Sequence, residues 1–365
     1  MSTLLEKRIY FKLGKQSLPG ELNAAHLVQG SQVTAVNIAD HQSLGLVKKA
    51  AFLEDTNLKH LDVGRIVRKT SERQSRWVID AALTTWKQQN QNADSTANDE
   101  KDTGLFLGLG TVDCEDNDLP IPFDGTSHDY AQQMLIEAKP LAGLILLNST
   151  TASHIAQLTN ITGVNCVFSP FADAGAQAII EAFFNIREGK CRQALVAAGS
   201  PKITPWYFLH HRDFFQQWNN YNIFPSESAA ALVASDKPGD ADACLITVIR
   251  TFSGSTKTDF PMMSNLLEGL SAKNIVLPQQ IIYTGGFDIG EERKQNLTHY
   301  FPDNNLHYID QLTGYTGAAG ALHAVFFAAT LLQEKRKDIT SSTALIIAEG
   351  FNGQICYMVI GEADE

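Results

Sequence analysis

The sequence has little positive charge, and it contains no long apolar run. Of 365 residues, 29 are lysine or arginine and 40 are aspartate or glutamate, so the formal net charge is −11. A chain this acidic is poorly suited to nonspecific nucleic-acid binding, because nucleic-acid phosphates attract basic surfaces. No stretch of about 18 apolar residues occurs, and the N-terminus lacks the apolar core of a signal peptide. We therefore expect a soluble, cytoplasmic protein that binds neither nucleic acid nor a membrane.

Cysteine is scarce, and no cofactor motif is complete. The five cysteines are Cys114, Cys166, Cys191, Cys244 and Cys356. They form no CxxC pair, so the sequence predicts neither a zinc site nor a disulfide framework. Gly108 and Gly110 follow a predicted strand, but Asp113 stands where a dinucleotide-binding GxGxxG motif needs its third glycine. We therefore expect no metal and no cofactor.

What the sequence does contain is an alternation of apolar strands and amphipathic helices. The predicted strands are 32–38, 105–109, 164–168, 194–198, 245–251, 280–283, 344–348 and 354–360; the predicted helices are 71–86, 128–138, 148–158, 260–270, 289–299, 316–332 and one starting at Asp173. Ser71 is the predicted N-cap of its helix, and residues 1–32 show no clear pattern. This alternation predicts an α/β fold with buried helices. The polar segment 236–242 divides it into two halves, residues 1–240 and 241–365.

The most informative stretch runs from Val164 to Gly189. An apolar strand ends at Ser169-Pro170, and helical spacing of apolar residues begins at Asp173. A sharp turn from a strand into a buried helix is a common place for a nucleophile, because free N–H groups at the helix start can hold an anion. Here the turn contains no cysteine, no histidine and no well-placed serine. The sequence predicts the scaffold of a catalytic site without its nucleophile.

This combination resembles the β-ketoacyl synthases of the thiolase fold. In that family the turn reads T-A-C-(S/A)-S-G, so Gly175 matches the glycine and Ala172 takes the place of the cysteine. Residues 227–233 (ESAAALV) and 350–353 (GFNG) are similar to the family's G-E-G-A-A-A-L-V-L and G-F-G-G segments. The resemblance extends from about residue 104 to the C-terminus. It implies a five-layer α-β-α-β-α thiolase fold with two similar halves.

The resemblance also places other residue types at the remaining catalytic positions. A condensing synthase needs a thiolate at a helix N-terminus and two imidazoles that stabilise an enolate oxygen. Tyr283 and Tyr315 stand at the two histidine positions, and Asp310 stands at the position of a supporting lysine. Alanine holds no covalent intermediate, and tyrosine, with a pKa of about 10, is a poor substitute for a catalytic imidazole. We therefore expect no catalytic residue and no independent activity.

The whole pattern is similar to the chain-length factor, or ketosynthase β, of a type II polyketide synthase. This resemblance implies a non-condensing subunit that pairs with a Cys-bearing ketosynthase as a heterodimer and shapes a shared elongation channel, to which an acyl carrier protein brings the chain. The compact length favours the aryl-polyene or anthraquinone type. The residues implied for the channel or the interface are Tyr130, Gln133, Met134, Ile136, Phe171 and Phe351. Ordinary interface packing is the competing explanation for them.

Two alternatives remain at this stage. The first is a divergent active ketosynthase or acyltransferase with a nonstandard nucleophile such as Ser169 or Cys166. The second is the inactive partner subunit of another heterodimeric ketosynthase-like enzyme. An acyl adduct on this chain would support the first, and the identity of the partner and its product separates the second from a chain-length factor.

Overall fold

The computed structural model describes residues 8–90, 102–111, 129, 132, 141–145, 147–216, 223–253, 260–286, 290–301, 305–335 and 343–363. The strands are β1 (Ile9–Ser17), β2 (Val36–Asn37), β3 (Lys49–Ala50), β4 (Thr103–Leu109), β5 (Asn165–Phe168), β6 (Gln193–Ser200), β7 (Ser228–Ser235), β8 (Ala243–Phe252), β9 (Gln280–Thr284), β10 (Asn305–Tyr308), β11 (Thr343–Glu349) and β12 (Gln354–Gly361). The predicted helix 128–138 falls almost entirely outside these ranges.

Most of the helices lie between successive strands along the chain, as the predicted alternation requires. They are α1 (Ala24–Val28), α2 (Asp40–Ser43), α3 (Arg65–Thr70), α4 (Arg73–Asn90), α5 (Ala142–Ile145), α6 (Asn148–Thr159), α7 (Asp173–Arg187), α8 (Pro205–His210), α9 (Arg212–Phe215), α10 (Met263–Ala272), α11 (Gly290–Tyr300), α12 (Ile309–Thr313) and α13 (Gly320–Lys335). Short 3-10 turns occur at Pro19–Glu21, Lys59–Leu61 and Gly317–Ala319. Within the described ranges no helix is long and apolar enough to cross a membrane.

Ten strands form one sheet in which a single strand order occurs twice. The order is β10-β9-β11-β12-β8-β1-β7-β6-β4-β5, and the central strands β1 and β8 pair antiparallel, with Ile9 opposite Leu245. Each half contributes five strands to this sheet, with β2 and β3 forming a separate small sheet. Numbered within each half along the chain, these five strands follow the order first, fifth, fourth, second, third outward from the centre, with matching parallel and antiparallel pairings. Two halves of similar order were expected. The exact division at residues 240 and 241 stays a prediction.

The half-sheets and helices form five layers. Helices α7 and α13 lie between the half-sheets, and their apolar side chains join those of both sheets in one cluster that includes Ile179, Val196, Val325 and Ile346. A second cluster joins α4 and α6 to the outer face of the first half-sheet. A third joins α10 and α11 to the outer face of the second. This is the α-β-α-β-α order that was predicted.

Three details differ from the sequence-based expectations. The predicted strand 32–38 is reduced to the two residues of β2, which pairs with β3 outside the main sheet. Strand β1 lies in the segment for which no element was predicted, yet it occupies the centre of the sheet. Ile9 and Phe11 are buried while the alternate residues are partly exposed. Ser71 ends α3 instead of capping α4. The cap of α4 is the buried carboxylate of Glu72, which accepts hydrogen bonds from the backbone N–H groups of Gln74 (2.8 Å) and the following residue.

Candidate functional site

The predicted strand–turn–helix forms as expected and ends in a buried alanine. Strand β5 ends at Phe168, and α7 begins at Asp173 with Ala172 immediately before it. Ala172 is fully buried. Its methyl group offers neither a nucleophile nor a proton donor, so this helix start has no side chain that could form a covalent intermediate.

Tyr315 lies directly against this helix start. The backbone N–H of Ala172 donates a hydrogen bond to the Tyr315 hydroxyl oxygen, and the Tyr315 side chain is 2% exposed. Burial raises the pKa of Tyr315 well above its ordinary value, so the phenol keeps its proton. By the family resemblance, Ala172 stands at the cysteine position and Tyr315 at one of the two histidine positions, and the two residues are therefore in direct contact.

An aromatic cluster packs against this contact. Phe351 stacks on Tyr315 with ring centroids 5.1 Å apart, and Phe171 lies 5.2 Å from Phe351. Phe214 lies 6.1 Å from the Tyr315 ring and 3.1 Å from the Phe351 ring, on the same side of Tyr315 as Phe351. The structure thus brings two of the predicted channel residues, Phe171 and Phe351, to the degenerate site. Tyr130, Gln133, Met134 and Ile136 lie outside the described residues.

The loop that carries Phe351 is held by the first turn of α7. The buried Asp173 carboxylate contacts Gly350 so closely that a Cβ on that glycine would lie 2.0 Å from Asp173 Oδ1. The Asn352 side chain donates to the same carboxylate, and its own Oδ1 accepts from the N–H of Gln354 at 3.0 Å. These contacts fix the position from which Phe351 reaches Tyr315.

Tyr283 does not join the site. Its hydroxyl donates to Glu349 Oε2 at 2.7 Å, and its ring packs in the apolar cluster on the outer face of the second half-sheet. Successive side chains of a strand point to opposite faces. The next residue, Thr284, therefore faces inward, where its hydroxyl donates to Asp310 at 2.9 Å.

Asp310 serves as an internal anion for a glycine turn. Its Oδ2 accepts the backbone N–H groups of Gly285 (2.8 Å) and Gly286 (2.7 Å). Burial raises the pKa of Asp310 from 3.8 to about 6, and these hydrogen bonds oppose the rise. A carboxylate at this position cannot supply the positive charge that the lysine of the family motif would supply.

A small cavity lies beside the aromatic cluster. It is lined by Thr111, Pro170, Phe171, Ser200, Pro201, Lys202, Tyr207, His211, Tyr315 and Gly317. Its free space is about 10 Å³, room for about one water molecule. The cavity is too small for an acyl chain.

Lys202, which lines this cavity, belongs to a set of buried ionisable side chains that the sequence reasoning missed. Lys202 pairs with Glu72 at 3.4 Å, and both side chains are 1% exposed. Arg73 pairs with the fully buried Glu227, which also accepts the N–H groups of Ile203 (2.9 Å) and Leu53 (3.1 Å). The signal that could have revealed them is Glu227 itself, a lone acid at the start of an otherwise apolar ESAAALV strand.

The described residues contain no cluster of three or more metal-ligating side chains. Among the described residues, neither alternative nucleophile forms a hydrogen bond to a histidine or a carboxylate. Ser169 Oγ is 3.3 Å from the carbonyl oxygen of Gly110 and from Asn148 Nδ2. Burial and the nearby Glu181 raise the pKa of Cys166, which lowers its thiolate fraction. The local chemistry therefore activates neither residue.

Comparisons with known proteins agree with this geometry. No curated protein matches the chain by sequence. Solved ketosynthase structures do match it. One is a ketosynthase from module 6 of the bacillaene synthase of Bacillus subtilis 168 (14% identity, 98% of this chain and 72% of that chain, TM-score 0.73), and another is ketosynthase twelve of the bacillaene synthase of Bacillus amyloliquefaciens (11%, 99% and 74%, TM-score 0.71). A further match is AntDE:AntF, a type II polyketide synthase acyl-carrier protein in complex with its ketosynthase bound to the hexaketide (15%, 98% and 100%, TM-score 0.73).

At these identities the structural likeness establishes the fold, which is that of the thiolase-type ketosynthases. The sequence supplies the family. The family described as Beta-ketoacyl synthase, N-terminal domain, matches residues 23–214, which is more than half of the 365-residue chain. The chain belongs to the β-ketoacyl synthase family.

Proposed function

We propose that this chain is a non-condensing subunit, a chain-length factor, that pairs with an active ketosynthase in type II polyketide synthesis of the aryl-polyene or anthraquinone type. One observation carries the proposal: the helix start at which the family places its nucleophile has Ala172, fully buried under Tyr315. A subunit with such a site has no means of holding an acyl chain covalently. A role in shaping the channel of a partner requires no nucleophile.

The outer edge of strand β5 supports pairing with a partner. Strand β5 pairs only with β4 among the described residues, which place no strand on its other edge. Leu147, immediately before the helix α6 that packs against β5, is 50% exposed. Such an edge, with an exposed apolar side chain beside it, is suited to strand addition by another subunit. We infer that the partner is a Cys-bearing ketosynthase and that an acyl carrier protein delivers the substrate to the pair.

The alternative of an unconventional nucleophile has less support. Ser169 makes contacts only to a carbonyl and an amide among its described neighbours, and burial raises the pKa of the Cys166 thiol. A general base within hydrogen-bond reach is what an active serine or thiol requires. The inactive partner of another heterodimeric ketosynthase-like enzyme remains a second assignment, which only the identity of the partner and its product can separate from the first.

Purification from the native cells tests the partner role. We expect a one-to-one complex with a Cys-bearing ketosynthase in native mass spectrometry. Intact-protein mass spectrometry after incubation with acylated carrier protein then locates the acyl group, which we expect on the ketosynthase and not on this chain. A stable homodimer with no ketosynthase, or an acyl adduct on this chain, contradicts the proposal.

The proposed channel residues can be tested by product length. Met134→Ala removes a side chain from the inferred gate, so the reconstituted pair should release a longer product. Met262→Ala, at an exposed residue just before α10, is the matched control and should leave product length unchanged. An unchanged product from the Met134 variant in an intact heterodimer would count against the gate.

A further inference from the structure

The backbone on both sides of Tyr315 is fixed. Its N–H donates to the carbonyl oxygen of Phe224 at 2.7 Å, and its carbonyl accepts from the N–H of Ser226 at 2.9 Å. The preceding Gly314 has a φ of +73°, and a Cβ there would lie 2.6 Å from the Ser226 side chain. A backbone held this way presents the Tyr315 ring to the start of α7 in one orientation.

The ring fills the volume in front of α7. Tyr315 is 2% exposed, and Phe351 and Phe214 both lie on one side of its ring, with Phe351 stacked on it. The free space that remains beside it holds about one water molecule. An acyl chain can reach Ala172 only if this ring is displaced or removed.

The hydroxyl occupies the hydrogen-bond donor as well as the space. Backbone N–H groups at a helix start bind carbonyl oxygens and oxyanions. The N–H of Ala172 is committed to the Tyr315 hydroxyl oxygen. The Tyr315 side chain thus occupies both the space and the hydrogen-bond donor that the carbonyl oxygen of a thioester would need.

We propose that Tyr315 is an internal plug that closes the degenerate site of this subunit to acyl thioesters. The inference rests on the proposed function and deepens it, since it identifies the residue that confines the growing chain to the partner. Loss of the nucleophile alone would leave an empty pocket into which an acyl chain could stray. The plug removes that pocket.

A thiol placed at position 172 reports access to the site. Ala172→Cys, Ala172→Cys/Tyr315→Phe and Ala172→Cys/Tyr315→Ala are treated with iodoacetamide in the full chain, and alkylation is mapped by peptide mass. With Tyr315 or phenylalanine present, the thiol should react more than about tenfold more slowly than in urea, because the aromatic ring covers it. The alanine double variant should react at least about tenfold faster than the single variant.

The native Cys356, which is fully buried, is the control for folding and must stay unmodified in every variant. If the alanine variant exposes Cys356, Tyr315→Leu replaces it as the smaller truncation. Rapid alkylation with Tyr315 intact overturns the plug, and so does an equally slow reaction in a folded truncation variant. Alkylation needs no partner subunit, so a chain that forms no complex with a ketosynthase yet shows this pattern refutes the proposed function and leaves the plug standing.

Discussion

The Cα of Gly175, in the first turn of α7, packs against the backbone carbonyl of Ala318. A Cβ at residue 175 would lie 2.2 Å from that oxygen, and on the other side a Cβ on Gly108 would lie 2.6 Å from the Gly175 Cα. This contact joins a helix of the first half to the 3-10 turn that precedes α13 of the second half. The two central helices approach this closely only because residue 175 has no side chain.

Gly175→Ala should therefore destabilise the protein, by about 1–3 kcal/mol, because a backbone oxygen cannot move aside as a flexible side chain can. Gly269→Ala in α10 is the matched control, since a Cβ at that position would have no neighbouring atom within 4 Å. The control should stabilise by about 0.5–1 kcal/mol through helix propensity. Urea unfolding of both variants measures the difference, and equal effects of the same sign would refute the close-contact argument.

The strand–turn–helix and most other elements follow from local apolar periodicity, which is why they could be predicted. Strand β1 could not. Its sequence, IYFKLGKQS, alternates buried Ile9 and Phe11 with Tyr10 and Lys12, and its central position depends on pairing with β7 and β8, more than 200 residues away. Such long-range pairing leaves little trace in a nine-residue segment.

The site shows a similar limit. Motif similarity placed Ala172 and Tyr315 at equivalent catalytic positions, and they are in contact. The same reasoning placed Tyr283 beside them, but the pleat of β9 directs it to the opposite face, where it donates to Glu349. The spacing in a motif predicts on which strand a residue lies, whereas the face that its side chain occupies depends on the register of that strand with its neighbours.

Glu227 should be among the most sensitive polar residues to substitution. Glu227→Gln leaves the guanidinium of Arg73 without its anion, and its one amide oxygen can accept from only one of the N–H groups of Ile203 and Leu53, which donate to different carboxylate oxygens. Burial raises the pKa of Glu227 to about 8 against the opposing effect of Arg73, so the ion pair is complete only above that pH. At pH 9 we expect a loss on the order of 3 kcal/mol, because breaking a fully buried ion pair is costly. The exposed pair of Glu188 and Lys190 supplies the control, and Glu188→Gln should cause no measurable change. Similar unfolding midpoints for the two variants would contradict this.

Asp310 should make stability fall as pH rises through a defined window. Its pKa is raised from 3.8 to about 6, so between these values the folded state binds a proton that the unfolded state releases. The stabilisation is complete below about pH 4 and is lost above about pH 6, a change of about 3 kcal/mol. Asp310→Asn cannot ionise and can still accept from the glycine N–H groups. In urea unfolding across pH 4–7, the free energy of unfolding of the variant should rise relative to that of the wild type as the pH rises. Parallel plots of this free energy against pH for the two proteins would contradict the assignment.

The titration of His323, on the buried central helix α13, should make stability fall as the pH falls, which is opposite to the effect of Asp310. The Nδ1 atom of His323 lies 2.9 Å from Gln16 Nε2, an amide donor, so the ring is a neutral acceptor there, and burial lowers its pKa from 6.5 to about 3. Between about pH 3 and 6.5 the unfolded state therefore binds a proton that the folded state does not bind. The stability that this group contributes above pH 6.5 is lost as the pH falls through that range. The loss attributable to this group is about 3 kcal/mol by pH 4.

His323→Asn removes the titrating ring and should flatten that acid-side loss, while His41→Asn, at an exposed position, should follow the wild type. The histidine effect extends up to pH 6.5, whereas the Asp310 effect ends near pH 6. Because the two contributions oppose each other between about pH 4 and 6, the wild-type profile alone cannot separate them. The variant with both substitutions can separate them. Its change in the free energy of unfolding relative to the wild type should equal the sum of the changes in the two single variants at every pH, because the two groups hydrogen-bond to different partners.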